Sequence, residues 1–330
     1  MKIIRAEPSR RCQFGELHVE MIDRLFFKSE SRMPGFHCRM FYEDFGRLLN
    51  SFNRRHGEDF KIASTNAEIV HRLLGNVKTR NAPRSIDGAV RELVEETAQS
   101  LIWFQKAYFF AYTSLNGDDV HVAPLNSSGI VRIFGGHVQW VPKGWEKRRR
   151  SDEQICSREL RILDAAKLIR IEMPRAFRRM LSAQNKVLAS LDEHHLQFGN
   201  FHPEATHENP NPSSHFEFGV WKKVQDDAFY RATRQTGWNG RKYDSSKRSD
   251  FFDCHRLIRF RSNQLFLRDV ILSQLSREFS RIGKNYDERF SMEILPSDES
   301  LSILSLEKLK LKLEREEIEF KEVLDYCYGR

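Results

Sequence analysis

Four basic side chains, Arg241, Lys242, Lys247 and Arg248, share one short polar segment, WNGRKYDSSKRSD, with Asp244 and Asp250 as the acids among them. Lysine and arginine heads on a flexible loop can touch phosphates, a contact that is blind to base sequence and weakens with salt. The plain alternative is a solvated turn between two helices. Upstream stand His194, His195, His202, His207 and His215, with Glu204 and Glu208 nearby, the residue types of a metal site. Their gaps match neither a compact helix motif nor a zinc finger, and no cysteine is close. A polar exposed tip accounts for them, with His202, His207, Asn209 and Asn211 available for contacts. No metal is expected there.

The acidic tail contains Glu317, Glu319 and Lys321, an E-x-K order that a nuclease would need on a strand, with another acid placed separately. Helical spacing and an i, i+4 pairing of Glu317 with Lys321 explain it more simply. No GxxxxGK(S/T), GxSxG or HExxH occurs, and Gly135-Gly136 sits between two strand-like segments rather than between a strand and a helix. The run Lys147–Arg150 suits nucleic acid, an acidic partner or a solvated turn equally. Trp103, Trp140, Trp145, Trp221 and Trp238 read as core or interface anchors. Neither a catalytic residue nor a cofactor is expected.

The chain must position these residues with 330 amino acids, enough for one large domain or two modest ones. Its formal charge of +8 favours polyanionic partners, although 46 acidic residues dilute it. Five scattered cysteines without a CxxC pair predict reduced, intracellular thiols. No apolar run reaches the ~18 residues of a membrane span, and MKIIRAEPSRR lacks a signal-peptide core. A soluble protein made in a cytoplasm is expected.

Apolar periodicity supplies the scaffold. Helical spacing runs from Phe36 to Phe52 and from Asn66 to Leu74, and the region before Arg32 reads as strand. Ser85 caps a helix through Ile102 that leads into a strand at Ala107–Ser114; Asn116-Gly117 then turns the chain into Val120–Leu125. Gly129–Phe134 and His137–Val141 repeat the hairpin, and Lys167–Met173 alternates as the last strand of this region. Pro174 opens a helix with Phe177, Met180, Leu181, Val187, Leu188 and Leu191 on one face. Arg175, Arg178, Arg179 and Lys186 lie mostly elsewhere on it. A proline-broken stretch, His195–Ser214, separates it from a second helix with Val220, Trp221, Val224, Ala228 and Phe229 inside. Ser249 or Asp250 caps a third, reaching about Ile282. A strand at Phe290–Leu295 and helices near Glu299–Leu311 and Glu316–Tyr326 finish the chain. The fold class is α+β. Two amphipathic helices in a hairpin carry more apolar surface than one neighbour hides, so copies packed in a closed ring are expected to bury the rest.

In the order of these parts the chain resembles a tailed-bacteriophage portal protein, from about Ser85 to Tyr328. RELVEETAQSLIWFQKAYFFAYTS looks like the portal wing segment that leads into a strand, and HVAPLNSSGIVRIFGG is similar to the wing strands that follow. RELRILDAAKLIRIEMP looks like the stretch feeding the first stem helix, and FSMEILPSDESLSILSLEKLKLKLEREEIEFKEVLDY is similar to the closing part of many portals.

The resemblance implies an N-terminal α+β wing with a small antiparallel sheet (1–173), a first stem helix (174–194), a short clip (195–214) and a second stem helix (215–237). A tunnel loop (238–250), a long wing helix with its strand (251–298) and C-terminal helices forming a reduced crown (299–330) complete it. It further implies a non-enzymatic ring, dodecameric in the family, at the capsid vertex. Through that ring double-stranded DNA is packaged and ejected, and the ring joins head to tail. Arg241, Lys242, Lys247 and Arg248 would face the channel; His202, His207, Asn209 and Asn211 would meet motor and adaptor. The implied partners are other copies of the chain, DNA bound without sequence preference, the major capsid protein, the terminase large subunit and a head-tail adaptor. No membrane is implied, and the place is the virion, assembled in the host cytoplasm. The competing readings are a nucleic-acid-binding protein or metal-dependent nuclease of a mobile element or defence system, and a helical scaffold for other proteins.

Overall fold

Short alternating segments dominate the first half of the chain and long amphipathic ones the second, and the folded elements follow that division. The computed structural model describes residues 2–9, 21–23, 35–49, 59–79, 85–113, 120–133, 135–147, 153–199, 218–241, 249–297 and 301–328. The chain begins with β1 (Lys2–Arg5), α1 (Phe36–Gly46), β2 (Phe60–Ser64), α2 (Ala67–Leu74) and α3 (Ile86–Phe104). Strands β3 (Lys106–Thr113), β4 (Val120–Leu125), β5 (Ile130–Ile133), β6 (Gly136–Val141), β7 (Gly144–Lys147) and β8 (Glu153–Cys156) come next. After β9 (Glu159–Ile162) and β10 (Leu168–Glu172) come helices α4 (Arg175–Gly199), α5 (Phe218–Ala232) and α6 (Asp250–Gly283). Strand β11 (Met292–Pro296) and helices α7 (Ile303–Glu314) and α8 (Phe320–Tyr328) complete the order. The fold is α+β.

Two units divide these elements. The first comprises Met1–Arg32, Arg54–Met173 and Leu267–Ser300. Ser85 accepts from the Gly88 N–H at 3.1 Å and starts α3, as its position predicts. Gln105, left-handed at φ 63°, ends that helix and turns the chain directly into β3. Strand β3 is the centre of a sheet ordered β10-β3-β4, antiparallel throughout, with Tyr108, Phe110, Ala123, Leu125 and Leu168 in one buried cluster. A second sheet runs β1-β9-β6-β5, in which β1 and β9 are parallel. Strands β2 and β11 form a third sheet and β7 and β8 a fourth.

The second half of α6 belongs to this first unit and serves two sheet edges at once. Gln274 accepts from the Glu172 N–H at 3.0 Å and donates to the Glu172 carbonyl at 2.9 Å, so its amide replaces a missing strand beside β10. Ser276 and Ser280 accept from the backbone N–H groups of Ile294 and Met292, each at 2.8 Å, on the outer edge of β11. An open strand edge leaves backbone groups unpaired; the helix meets them with side chains.

The second unit comprises Met33–Asn53, Pro174–Phe266 and Leu301–Arg330. Helices α4 and α5 pack on each other as a hairpin, and α1 packs on α4. Phe177, Leu181, Leu188 and Leu191 are buried on α4, with Phe41 and Phe45 of α1 also buried and Phe45 against Phe177. The face that was expected to need another copy is thus covered by α1 of the same chain. Val187 and Val224, expected inside, are 38% and 58% exposed because they lie off these faces. Helix α4 also runs to Gly199, five residues past the predicted His194.

The start of α6 packs with α7 and α8 around Cys254, Ile258, Leu265, Leu306, Leu309, Leu313, Val323 and Cys327. The predicted helical pairing of Glu317 with Lys321 does not form. Glu316, at φ 59°, breaks the chain after α7, and Glu317 lies in the turn ahead of α8, where i, i+4 geometry does not apply.

Candidate functional site: the base of the basic segment

The basic segment leaves α5 through a turn that is locked to three helices of the second unit. Thr233 donates its hydroxyl to the Phe229 carbonyl at 2.9 Å, and the Gly237 N–H donates to the Thr233 carbonyl at 2.8 Å. Gly237 has φ 80°, and a Cβ there would collide with the Arg256 carbonyl of α6. Thr236, fully buried, donates to Gln184 Oε1 of α4 at 2.5 Å. Trp238 lies edge-on to Phe41 with ring centroids 5.3 Å apart and also touches Phe229 at 5.4 Å. The predicted loop therefore begins with a core residue, as the reading of the tryptophans as anchors requires.

Arg256 organises the turn from inside. It is 6% exposed, and its Nη2 donates to the Thr233 hydroxyl and the Trp238 carbonyl, each at 2.5 Å, and to the Thr233 carbonyl at 3.2 Å. Nε donates to Asn239 Oδ1 at 2.6 Å, and Asn239 in turn donates to Asp253 Oδ1 at 3.1 Å. A planar guanidinium can hold this many acceptors in a fixed fan; a lysine cannot. The same helix closes α1: Gln264 Nε2 points at the carbonyls of Asp44, Phe45 and Arg47, all within 3.2 Å. Those are the carbonyls that a helix C-terminus leaves without partners.

Of the four basic residues assigned to the channel, Arg241 is described. It donates to Asp44 Oδ1 through Nε at 2.8 Å and Nη2 at 2.5 Å, and to Glu43 Oε2 at 3.1 Å. Trp238 Nε1 takes the other Asp44 oxygen at 2.9 Å. The hydrogen bond from Arg241 holds the Glu43 carboxyl below its ordinary range, and that to Asp44 raises the guanidinium further. Arg241 is thus tied to two carboxylates at the foot of the segment. Lys242, Lys247 and Arg248 lie outside the described residues, as do His202, His207, Asn209 and Asn211 of the tip. On the far side Ser249 accepts from the Phe252 N–H at 3.2 Å and starts α6, as predicted.

Two other places bring polar side chains together. In the second unit, Asp192 Oδ1 accepts from the His37 backbone N–H at 2.8 Å and lies 2.6 Å from Nδ1 of the same residue. This caps α1 from α4, and a Cβ on Gly35 would strike the Asp192 carboxylate. Neighbouring Cys38 is pushed up to about 12 by burial and by Asp192, so its thiol stays protonated and is no nucleophile. In the first unit, a cavity of about 260 Å³ is lined by Phe60, Ile62, Val70, Ile86, His71 and Asp87, whose carboxylate accepts from the Phe60 N–H at 3.0 Å. Among the described residues no three His, Cys, Asp or Glu side chains gather around a common point.

Sequence reasoning missed Arg256, Asp44 and Gln264. Arg256 breaks the apolar run around Leu257 and Ile258, which was the available signal. Asp44 lies 197 positions from Arg241, and nothing local connects the two.

No family model and no curated protein matches the chain. Solved structures do. It is similar to a chain of the virion of a native gene transfer agent particle, with 13% identity, 85% of this chain and 84% of that one covered, and a TM-score of 0.40. It is similar to chains in the neck of the empty particle, computed with C6 symmetry, and of the native particle, computed with C12 symmetry. Each is 12% identical with a TM-score of 0.40, and the shares covered are 85% and 84% for the empty particle, 86% and 85% for the native.

Proposed function

We propose that this chain is a portal subunit of a tailed phage or phage-like particle. In this reading it is a non-enzymatic ring former in the virion that conducts double-stranded DNA and joins head to tail. One observation carries the reading: the hairpin of α4 and α5 passes through a basic segment whose base is clamped to the 34-residue helix α6. In this reading the proline-broken stretch 195–214 serves as the clip, with His202, His207, Asn209 and Asn211 meeting motor and adaptor. In the same reading the tunnel loop, 238–250, offers Lys242, Lys247 and Arg248 to the channel. Arg241 belongs to the foot of that loop, where Asp44 and Glu43 hold it.

Contacts to phosphate oxygens are weak and sequence-blind, which a passage for sliding DNA needs. Energy for movement comes from a separate terminase ATPase, and the capsid protein surrounds the ring. Subunit contacts need apolar surface that the monomer leaves open. Leu304 and Leu311, 70% and 51% exposed, stand on the face of α7 opposite its buried Leu306, Leu309 and Leu313. Phe320, Leu324 and Tyr328 follow one another at i, i+4 and i+8 on α8, each partly exposed, with the Arg261 guanidinium over the Tyr328 ring. Large apolar residues grouped this way mark an interaction surface.

Light scattering on the purified chain tests the reading. A single species with a mass many times 39.0 kDa supports it, and a monomer over the whole concentration range contradicts it.

A further inference from the structure

Helix α4 carries a row of exposed cations. Arg175, Arg179 and Lys186 follow one another at i, i+4 and i+11. At 3.6 residues per turn they fall within about 40° of one another and span about 16 Å of the axis. The buried residues Phe177, Leu181, Gln184 and Leu188 lie on the opposite side. Among the described residues no carboxylate pairs with any of the three, in contrast to Arg241. Ser182 and Ser190 lie on the same face, and the one acid in line among the described residues is Glu193, a further two turns along.

One feature makes this row unusual for a merely soluble face. The first turn of α4 contains no acid, although negative charge is favoured at a helix N-terminus and positive charge disfavoured there.

We infer that the outward face of α4 is a second phosphate-contacting surface, made by Arg175, Arg179 and Lys186, which tracks the backbone of duplex DNA. Its occupant follows from charge complementarity: a rod with one negative charge per ~1.7 Å of axis presents phosphates along the whole row. Arg241, already neutralised, contributes little beside it. The inference rests on the portal reading for its role, but its measurement does not.

The test uses the full chain, a fluorescein-labelled random-sequence duplex and anisotropy between about 50 and about 200 mM salt. The triple variant Arg175→Gln, Arg179→Gln, Lys186→Gln should weaken binding at least tenfold at low salt. It should also flatten the slope of log K against log salt by about 0.9 for each phosphate no longer neutralised. Arg175→Lys with Arg179→Lys keeps the charge and should keep the slope, which separates charge from folding. Arg241→Gln should change affinity less than twofold. An unchanged slope in the triple variant, or wild-type protein that binds no duplex, overturns the inference. So does binding of polyglutamate in place of DNA, which assigns the row to an acidic protein. Light scattering on the same samples keeps the two readings apart. Rings with an unchanged slope sink this inference alone, and a flattened slope on a monomer sinks the ring alone.

Discussion

Arg256 Nη2 lies 2.5 Å from the Thr233 hydroxyl and 2.5 Å from the Trp238 carbonyl, so one buried guanidinium on α6 fixes both the end of α5 and the start of the basic segment. A buried cation surrounded by acceptors leaves those acceptors bare when removed. Arg256→Met should therefore destabilise the chain by about 2–4 kcal/mol, and Arg256→Lys should recover less than half of that because an ammonium cannot reach the same fan. Thermal or urea unfolding monitored by circular dichroism measures both. A lysine variant as stable as wild type would contradict the role assigned to the fork.

The Glu43–Arg241–Asp44 pairing has a defined pH range. Arg241 lowers the Glu43 pKa from 4.5, and a lowered native pKa gives stability that is present above the unfolded value and lost as pH falls through the native one. The foot of the segment should stay closed from neutral pH down to about 4.5 and open only below it. Trp238, which shares Asp44, reports this by its fluorescence. A transition centred well above that pH would show that the pairing is not what holds Arg241. Because Glu43 and Arg241 are both well exposed, Arg241→Ala should cost less than about 1 kcal/mol.

Burial raises the Cys38, Cys254 and Cys327 thiols to about 12, 11 and 12. Thiolate is the reactive form, so all three should resist alkylation near neutral pH in the native protein and react once it is unfolded. Peptide mapping after iodoacetamide treatment, with and without denaturant, checks each cysteine separately. Fast native labelling of any of the three would contradict its packing.

Much of this was legible in the sequence, and the misses share a cause. Helix α6 was readable because Ser249, Asp250 and a long apolar period lie side by side, and α3 because Ser85 caps it. Strand β2 was not, since in FKIAS only Phe60 is buried and its partner residues run from Met292 to Pro296. The cover on α4 was equally invisible: Phe41 and Phe45 read as a helix, but no local pattern says which helix they meet. At the candidate site the charges were legible and their neutralisation was not. Arg241 looked like its neighbours until folding brought Asp44 to it.

Leu304 and Leu311 stand exposed on the outward face of α7. Leu304→Lys with Leu311→Lys should leave the monomer's unfolding midpoint within a few degrees of wild type and abolish assembly, since surface changes away from the core move stability little. Sedimentation velocity distinguishes the two effects. Normal assembly by the double variant would place the subunit contact elsewhere.

The central claim is that copies of this chain close around a hole wide enough for a DNA duplex. Negative-stain imaging of the purified protein tests it most directly. The account predicts end-on class averages of one diameter with a stain-filled centre wide enough to admit a whole DNA duplex. A field of single compact particles, or rings whose centre is too narrow for a duplex, would contradict it.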